Sequence, residues 1–309
     1  MQIKTNGVFP LYANLKTMDY KKENSFSPFS TLDRQITALS KRLSALHALQ
    51  KMFEETNSQW DIDNDYRDAL LEYVEELDKL HDIAFLIIKN MSCVIADEEL
   101  INAIDWVKKN EPLKFEYING AIKKDHEWIR LTSNLKKHDD VRVGFIDMTT
   151  ETGKVIYGFF FGKIINGYFS PISKIHKPYK SNQTAFSYNR FVNQTINFIF
   201  KVLTVLNNIL FNGSKPIVPL QQSCCSMLKI IDILSTTENI FYPDEYNNKF
   251  LYCRKNNNSY TMMLVNLKYT DKYISCGNIH MLDNRGDNGY TIPYHTLILD
   301  RIEVMLPTY

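Results

Sequence analysis

Two hydrophobic periods divide this chain. From Ser30 onward, Ile36, Leu39, Leu43, Leu46, Leu49 and Phe53 recur at steps of three and four residues, the spacing of a helix with one apolar face. Ser30 or Thr31 is placed to cap it, and Asp33 falls in the first turn, where negative charge suits the helix dipole. A turn with a second cap is expected over Asp61 to Asp65. Beyond it, Leu70, Val74, Leu77, Leu80, Ile83, Ile87 and Met91 make a second stripe, with Glu72, Glu75, Glu76, Asp78 and Asp82 outward. A short piece at about Glu98 to Lys108 puts Leu100, Ile104 and Val107 on one side. A long helix then follows Pro112, a favourable first-turn residue, and turns Phe115, Ile118, Ile122, Ile129 and Leu135 toward a core. Gly120 either weakens this helix or admits a close neighbour.

After His138 the pattern becomes strand-like. Val141 to Ile146 and Lys154 to Ile165 are expected as two strands joined by a turn at Thr150 to Gly153, with a third at Tyr168 to Ile172. Helical period returns over Tyr188 to Phe211 and ends at Asn212-Gly213, a good C-terminal stop. Past Pro216 and Pro219, a helix is expected over Gln221 to Ser235. Strands follow at Phe250 to Arg254, Tyr260 to Lys268, Lys272 to Ile279 and Thr291 to Ile298. The fold class is therefore α+β: an N-terminal antiparallel helical bundle with an inserted β-hairpin, then a smaller helix plus antiparallel-sheet region. The corresponding organisation is an extended lead-in over 1–28, a bundle over 29–211 with the β insertion at about 141–178, and a final region over 212–309.

Composition changes this picture in only a few places. Apolar residues at 44% and charged residues at 23% fit a globular chain. The net charge of +1 hides an asymmetry: Glu54 to Asp105 carries a net charge of −12, and Lys123 to Arg190 a net of +6. Adjacent acidic and basic stretches bear on surfaces and partners. Five cysteines without C-x-x-C spacing argue against a disulfide framework or zinc knuckle and fit a cytoplasmic protein. The first thirty residues carry no basic-then-apolar leader pattern. The greasy run Ile196 to Phe211 is interrupted by Asn197, Lys201, Thr204, Asn207 and Asn208, which predicts a core helix and no membrane partner.

Candidate chemistry is sparse. His126, Arg130, Asn134 and His138 fall at successive four-residue steps of the long helix, each drifting about 40° around it. They form either a solvated face or a functional stripe, since histidines titrate near neutral pH. Around the hairpin, Lys154, Lys163, Lys174, Lys177, Lys180 and Arg190 alternate with Tyr157, Phe159, Phe161, Tyr168, Tyr179 and Tyr188. Cations for phosphates beside rings for stacking is how single-stranded nucleic acid is held. The competing reading buries Phe159 to Phe161 in a sheet whose lysines protect its edges. Lys174, Lys177, Lys180 and Tyr179 are the candidate nucleic-acid contacts. Asp61, Asp63, Asp65 and Asp68 mimic part of a calcium loop but lack its glycine, so a solvated helix start is expected and no metal or other cofactor. Cys224-Cys225 at a helix start is expected to be a buried apolar pair.

At Ser133-Asn134-Leu-Lys-Lys-His138 the chain resembles the HEPN (higher eukaryotes and prokaryotes nucleotide-binding) superfamily, whose motif is an Arg, often Asn, then four to six residues and a His. Asn134 and His138 match; Ser133 stands where the Arg belongs, and Arg130 lies further back. The resemblance implies a protein that engages RNA, either as a degenerate binder or as a metal-independent endoribonuclease of a defence or toxin–antitoxin system, with homodimers common. In that case His138, Asn134 and Arg130 are the candidate catalytic residues. The alternative is a non-catalytic interaction module that docks on partner proteins through its acidic and basic faces.

Overall fold

The computed structural model describes residues 2–5, 9–17, 27–56, 60–94, 102–138, 141–213, 225–256, 259–266, 273–279, 289–291 and 293–294. In chain order the elements are β1 (Gln2–Thr5), α1 (Pro10–Thr17), α2 (Pro28–Thr56), α3 (Trp60–Met91), α4 (Ala103–Asn110) and α5 (Pro112–Lys137). Next come β2 (Arg142–Thr150), β3 (Val155–Ile165), β4 (Tyr168–Pro171), β5 (Phe186–Ser187), α6 (Tyr188–Phe211) and α7 (Cys225–Thr236). A short 3₁₀ turn, Glu245–Asn247, leads to β6 (Phe250–Asn256), β7 (Ser259–Val265), β8 (Tyr273–Ile279) and β9 (Gly289–Tyr290). The α+β class is as the periods predict.

Leu39, Leu43 and Leu46 of α2 meet Leu77 and Leu80 of α3 with no exposure. The cross-links Gln35–Glu76, Arg42–Glu72 and Gln50–Tyr66 run in opposite sequence directions, so the two helices are antiparallel. Two expected boundaries move. The Ser27 hydroxyl, not Ser30 or Thr31, accepts the first-turn N–H of Ser30 at 3.2 Å. The turn expected over Asp61 to Asp65 is already inside α3, because acidic residues suit a helix N-terminus as well as a turn. The calcium-loop resemblance therefore falls on helix. The lead-in also departs from the extended expectation. It contains α1, with Pro10 as its first residue, and it buries Leu11, Tyr12 and Leu15, while Phe9 stacks on Phe200 of α6 at 4.9 Å.

The hairpin is the middle of a larger sheet. A six-stranded sheet runs β8-β2-β3-β4-β9, with β5 also on β3, and among the described residues only its β4–β9 pair is parallel. Its two faces are both covered. Val143, Phe145, Phe159 and Phe161 join the helical core, while Ile146, Met148, Ile156, Phe160 and Phe169 pack with Tyr242, Tyr273 and Tyr294 on the other side. That is why three consecutive phenylalanines all have 0% exposure. Gly158 is required here: a Cβ would lie 2.2 Å from the Phe186 carbonyl oxygen. A second sheet, β1-β7-β6, pairs residues 2–5 with residues 260–263. Residues 212–309 thus supply strands to sheets begun earlier, and the sequence boundary at 212 does not divide the strands into separate sheets.

Helix α6 runs through the centre and ends as expected, with Asn212 and Gly213 in the left-handed region. By length and composition it is apolar enough to cross a membrane, but 56% of that window is buried within the fold. Of the helix expected over Gln221 to Ser235, the described part is α7, where Cys225 is exposed and not in a buried pair. Most of the expected strand Thr291 to Ile298 lies outside the described residues, as does the start of the piece expected at Glu98.

Candidate nucleic-acid interface

The polar stripe of α5 divides in two. His126 Nε2 lies 2.9 Å from Asp78 Oδ1 of α3, and Arg130 Nη1 lies 3.0 Å from Asp78 Oδ2 and 3.7 Å from Asp82. The His81 ring stacks on His126 at 3.6 Å, nearly parallel. Lys136 pairs with Glu75 at 2.8 Å. Burial alone would push the Asp78 carboxyl up, but bonds from His126, Arg130 and Ser133 outweigh it and hold the carboxyl below the usual aspartate range. Burial also holds the His81 imidazole below its ordinary value, against the opposing bond from Asp82. Ser133 is buried, whereas Asn134 and His138 are exposed. The four stripe residues do not share one surface. The first two meet the acidic face of α3, and the last two face outward, a consequence of the 40° drift per step.

A larger cleft opens on another side of α5. It encloses about 730 Å³ between α5, α6, the segment after β4 and the 3₁₀ turn, within the usual size of ligand sites. Its lining carries six cations, Lys124, Lys174, Lys177, Arg190, Lys201 and Lys249, against four carboxylates, Asp125, Glu127, Asp244 and Glu245. Three of the carboxylates already have partners. Asp125 pairs with Lys201 at 2.5 Å. Glu245 accepts the Ser187 N–H at 3.0 Å, the Ser187 hydroxyl at 2.6 Å and the Tyr242 N–H at 2.8 Å. Asp244 accepts the Tyr294 hydroxyl. Burial raises both buried carboxyls, Asp244 to about 6 and Glu245 well above its ordinary value, which lessens their repulsion of an anion.

Two lining donors are left over. Arg190, 8% exposed, donates from Nη2 to the Lys249 carbonyl at 3.1 Å, but its buried Nη1 has no hydrogen-bond partner among the described residues. Trp128, also 8% exposed, has a buried indole Nε1 in the same condition. Both groups are donors only, and an unmatched buried donor costs about 1–3 kcal/mol. Burial lowers the Arg190 pKa, opposed chiefly by Glu245, and the guanidinium stays charged. The complement to this wall is a ligand rich in acceptors and negative charge.

Of the predicted contacts, Lys174 and Lys177 line the cleft and are exposed. Tyr179 and Lys180 sit on a tight turn beyond it, closed by the Tyr179–Asn182 bridge, with the Lys180 ammonium 5.4 Å from the Tyr179 ring centre. Half of the expected stacking rings are not available: Phe159, Phe161 and Tyr188 are buried in the core, while Tyr157 and Tyr179 are half-buried and Tyr168 is exposed. His176, between the two lysines, is buried; its Nε2 accepts the Phe161 N–H at 2.9 Å, and burial lowers its pKa to about 3. Sequence reasoning overlooked Trp128 and gave Arg190 no special role. One signal was present, because Arg190 occupies the first turn of an apolar helix, the end where a cation is least favoured. A smaller cleft of about 360 Å³, bordered by His47, Glu54 and Tyr188, carries mixed charge and neither unmatched donor.

No protein-family model, curated protein or solved structure matches this chain, and the HEPN resemblance rests on the residues of α5 alone.

Proposed function

We propose that the protein is a cytoplasmic RNA-binding protein that holds single-stranded RNA along the basic cleft, with no cleavage centre on α5. The observation that carries this reading is the convergence of Lys124, Lys174, Lys177, Lys249 and Arg190 from separate elements on one concavity, two of whose lining residues, Arg190 and Trp128, each hold a buried unmatched donor. Cations spread over a cleft of this size suit a chain of phosphates better than a single small anion. The HEPN-like activity would need a cation beside His138, and Arg130 is instead held by Asp78 and Asp82. The acidic face that a protein-docking reading would use is partly consumed inside the fold, through Glu75, Glu76 and Asp78.

The test is binding of a short labelled single-stranded RNA, followed by anisotropy across a salt series. Affinity is expected to fall steeply with salt. Lys174→Glu with Lys177→Glu is expected to weaken it further and to flatten the slope by roughly 0.7 for each phosphate that is no longer neutralised. Absence of binding by the unaltered protein at low salt would sink the reading.

A further inference from the structure

We infer that the cleft recognises the terminal phosphate monoester of an RNA strand, gripped end-on by the Arg190 guanidinium and the Trp128 indole N–H. The inference rests on the RNA reading of this cleft and adds the part of the strand that it selects. Accessibility sets the two donors apart from the lysines. Lys174, Lys177 and Lys249 are exposed and can meet a backbone that runs past them. Arg190 Nη1 and Trp128 Nε1 are buried in the wall, so a group must enter the wall to reach them. An internal phosphodiester is tethered by a ribose on both sides and presents only two unesterified oxygens. A terminal phosphate has one ester link and three further oxygens, so it can enter end-on while the strand leaves over the lysines.

The donor set fits such a group. A guanidinium N–H and an indole N–H accept nothing, so the matching ligand group is acceptor-only, as a phosphate is. Arg190 is already oriented by its Nη2 bond to the Lys249 carbonyl, and a planar, pre-positioned guanidinium is the favoured partner of phosphate oxygens. The Glu245 carboxylate, which would otherwise answer Arg190, is turned instead to Ser187 and Tyr242. Glu245 therefore acts on the Arg190 charge only through space, and Nη1 keeps no hydrogen-bond acceptor among the described residues.

The experiment uses the full chain and one RNA sequence in four forms: 5′-phosphorylated, 3′-phosphorylated, hydroxyl at both ends, and circular. One of the phosphorylated forms is expected to bind about tenfold or more tightly than the hydroxyl and circular forms, the size expected of one charge-assisted hydrogen bond. Arg190→Lys is expected to bring the ratio of affinities for the phosphorylated and hydroxyl forms close to one, whatever it does to the affinity for either form alone. Trp128→Phe, which keeps a ring and removes only the N–H donor, is expected to reduce that ratio severalfold. Equal binding of all four forms by the unaltered protein overturns the inference and leaves the RNA reading standing, whether or not either variant folds. No binding of any form overturns both. A nucleoside monophosphate that binds as tightly as the phosphorylated RNA overturns the strand-end assignment, because the cleft would then serve a small molecule.

Discussion

Lowering the pH from 7 to 5 should cost the native state about 2 kcal/mol through His176 alone. This imidazole is buried between β3 and the segment after β4, and its Nε2 accepts the Phe161 N–H at 2.9 Å. It must stay neutral to accept that bond, and burial lowers its pKa from 6.5 to about 3. In the unfolded chain the same histidine takes up a proton as pH falls below 6.5, while in the folded chain it does not. The unfolded state thus binds more protons over the window from 6.5 down to 3, and stability falls with pH there. At roughly 1.4 kcal/mol per pH unit below 6.5, the loss by pH 5 is about 2 kcal/mol. Other groups titrate in the same range: His47 and His81, also lowered by burial, act in the same direction, and Asp244, raised to about 6, acts in the opposite one. The informative measurement is therefore a difference. Urea unfolding of the unaltered protein and of His176→Gln, whose amide oxygen can still accept the Phe161 N–H, should be compared at pH 7 and pH 5. The variant should be the less stable at pH 7, and the gap should narrow by about 2 kcal/mol at pH 5. Parallel profiles would show that His176 is not held neutral in the folded state.

Leu43→Ala, at a site with no exposure, should cost about 2–5 kcal/mol in urea unfolding; a loss under roughly 0.5 kcal/mol, the surface expectation, would mean that α2 buries another face. Asp78→Ala, which removes the shared partner of His126 and of the part-exposed Arg130 where α3 meets α5, should cost about 1.5–3 kcal/mol, the range for hydrogen bonds to a charged group, and a near-neutral result would show that these bonds are not formed in solution. On incubation with RNA the unaltered protein should leave the strand intact; cleavage that resists a chelator and vanishes in His138→Ala would restore α5 as a catalytic element.

What is legible in the sequence follows the range of the interactions. Helices α2, α3, α5 and α6 announce themselves because each buries a stripe many turns long, and the β2–β3 hairpin because its turn and alternation are local. Helix α1 is hidden: eight residues hold barely two turns, and Pro10 reads as a breaker although it is a good first residue. The pairing of β8 with β2 has no local signal at all, since Met148 and Cys276 meet across the chain. The site shows the same division. Lys174 and Lys177 can be named from charge pattern, whereas the importance of Trp128 and Arg190 lies in a missing partner, which only packing reveals. The α5 stripe does not hold together as a unit because four-residue steps drift, and the drift decides which members meet α3.

The sheet order has a consequence for how this protein is born. Strand β2 lies between β3 and β8, so when the ribosome has released the hairpin, one long edge of β2 still has no neighbour. That neighbour is encoded at residues 273–279, more than a hundred positions later, a delay on the order of ten seconds at ordinary elongation rates. Strand β1, the first to emerge, waits still longer relative to its own synthesis, since its partner β7 is encoded at residues 259–265. During translation the nascent chain therefore exposes an unpaired strand edge of the kind that seeds intermolecular pairing. Its yield in a cell should depend on elongation speed and on chaperones that shield that edge until the C-terminal strands arrive.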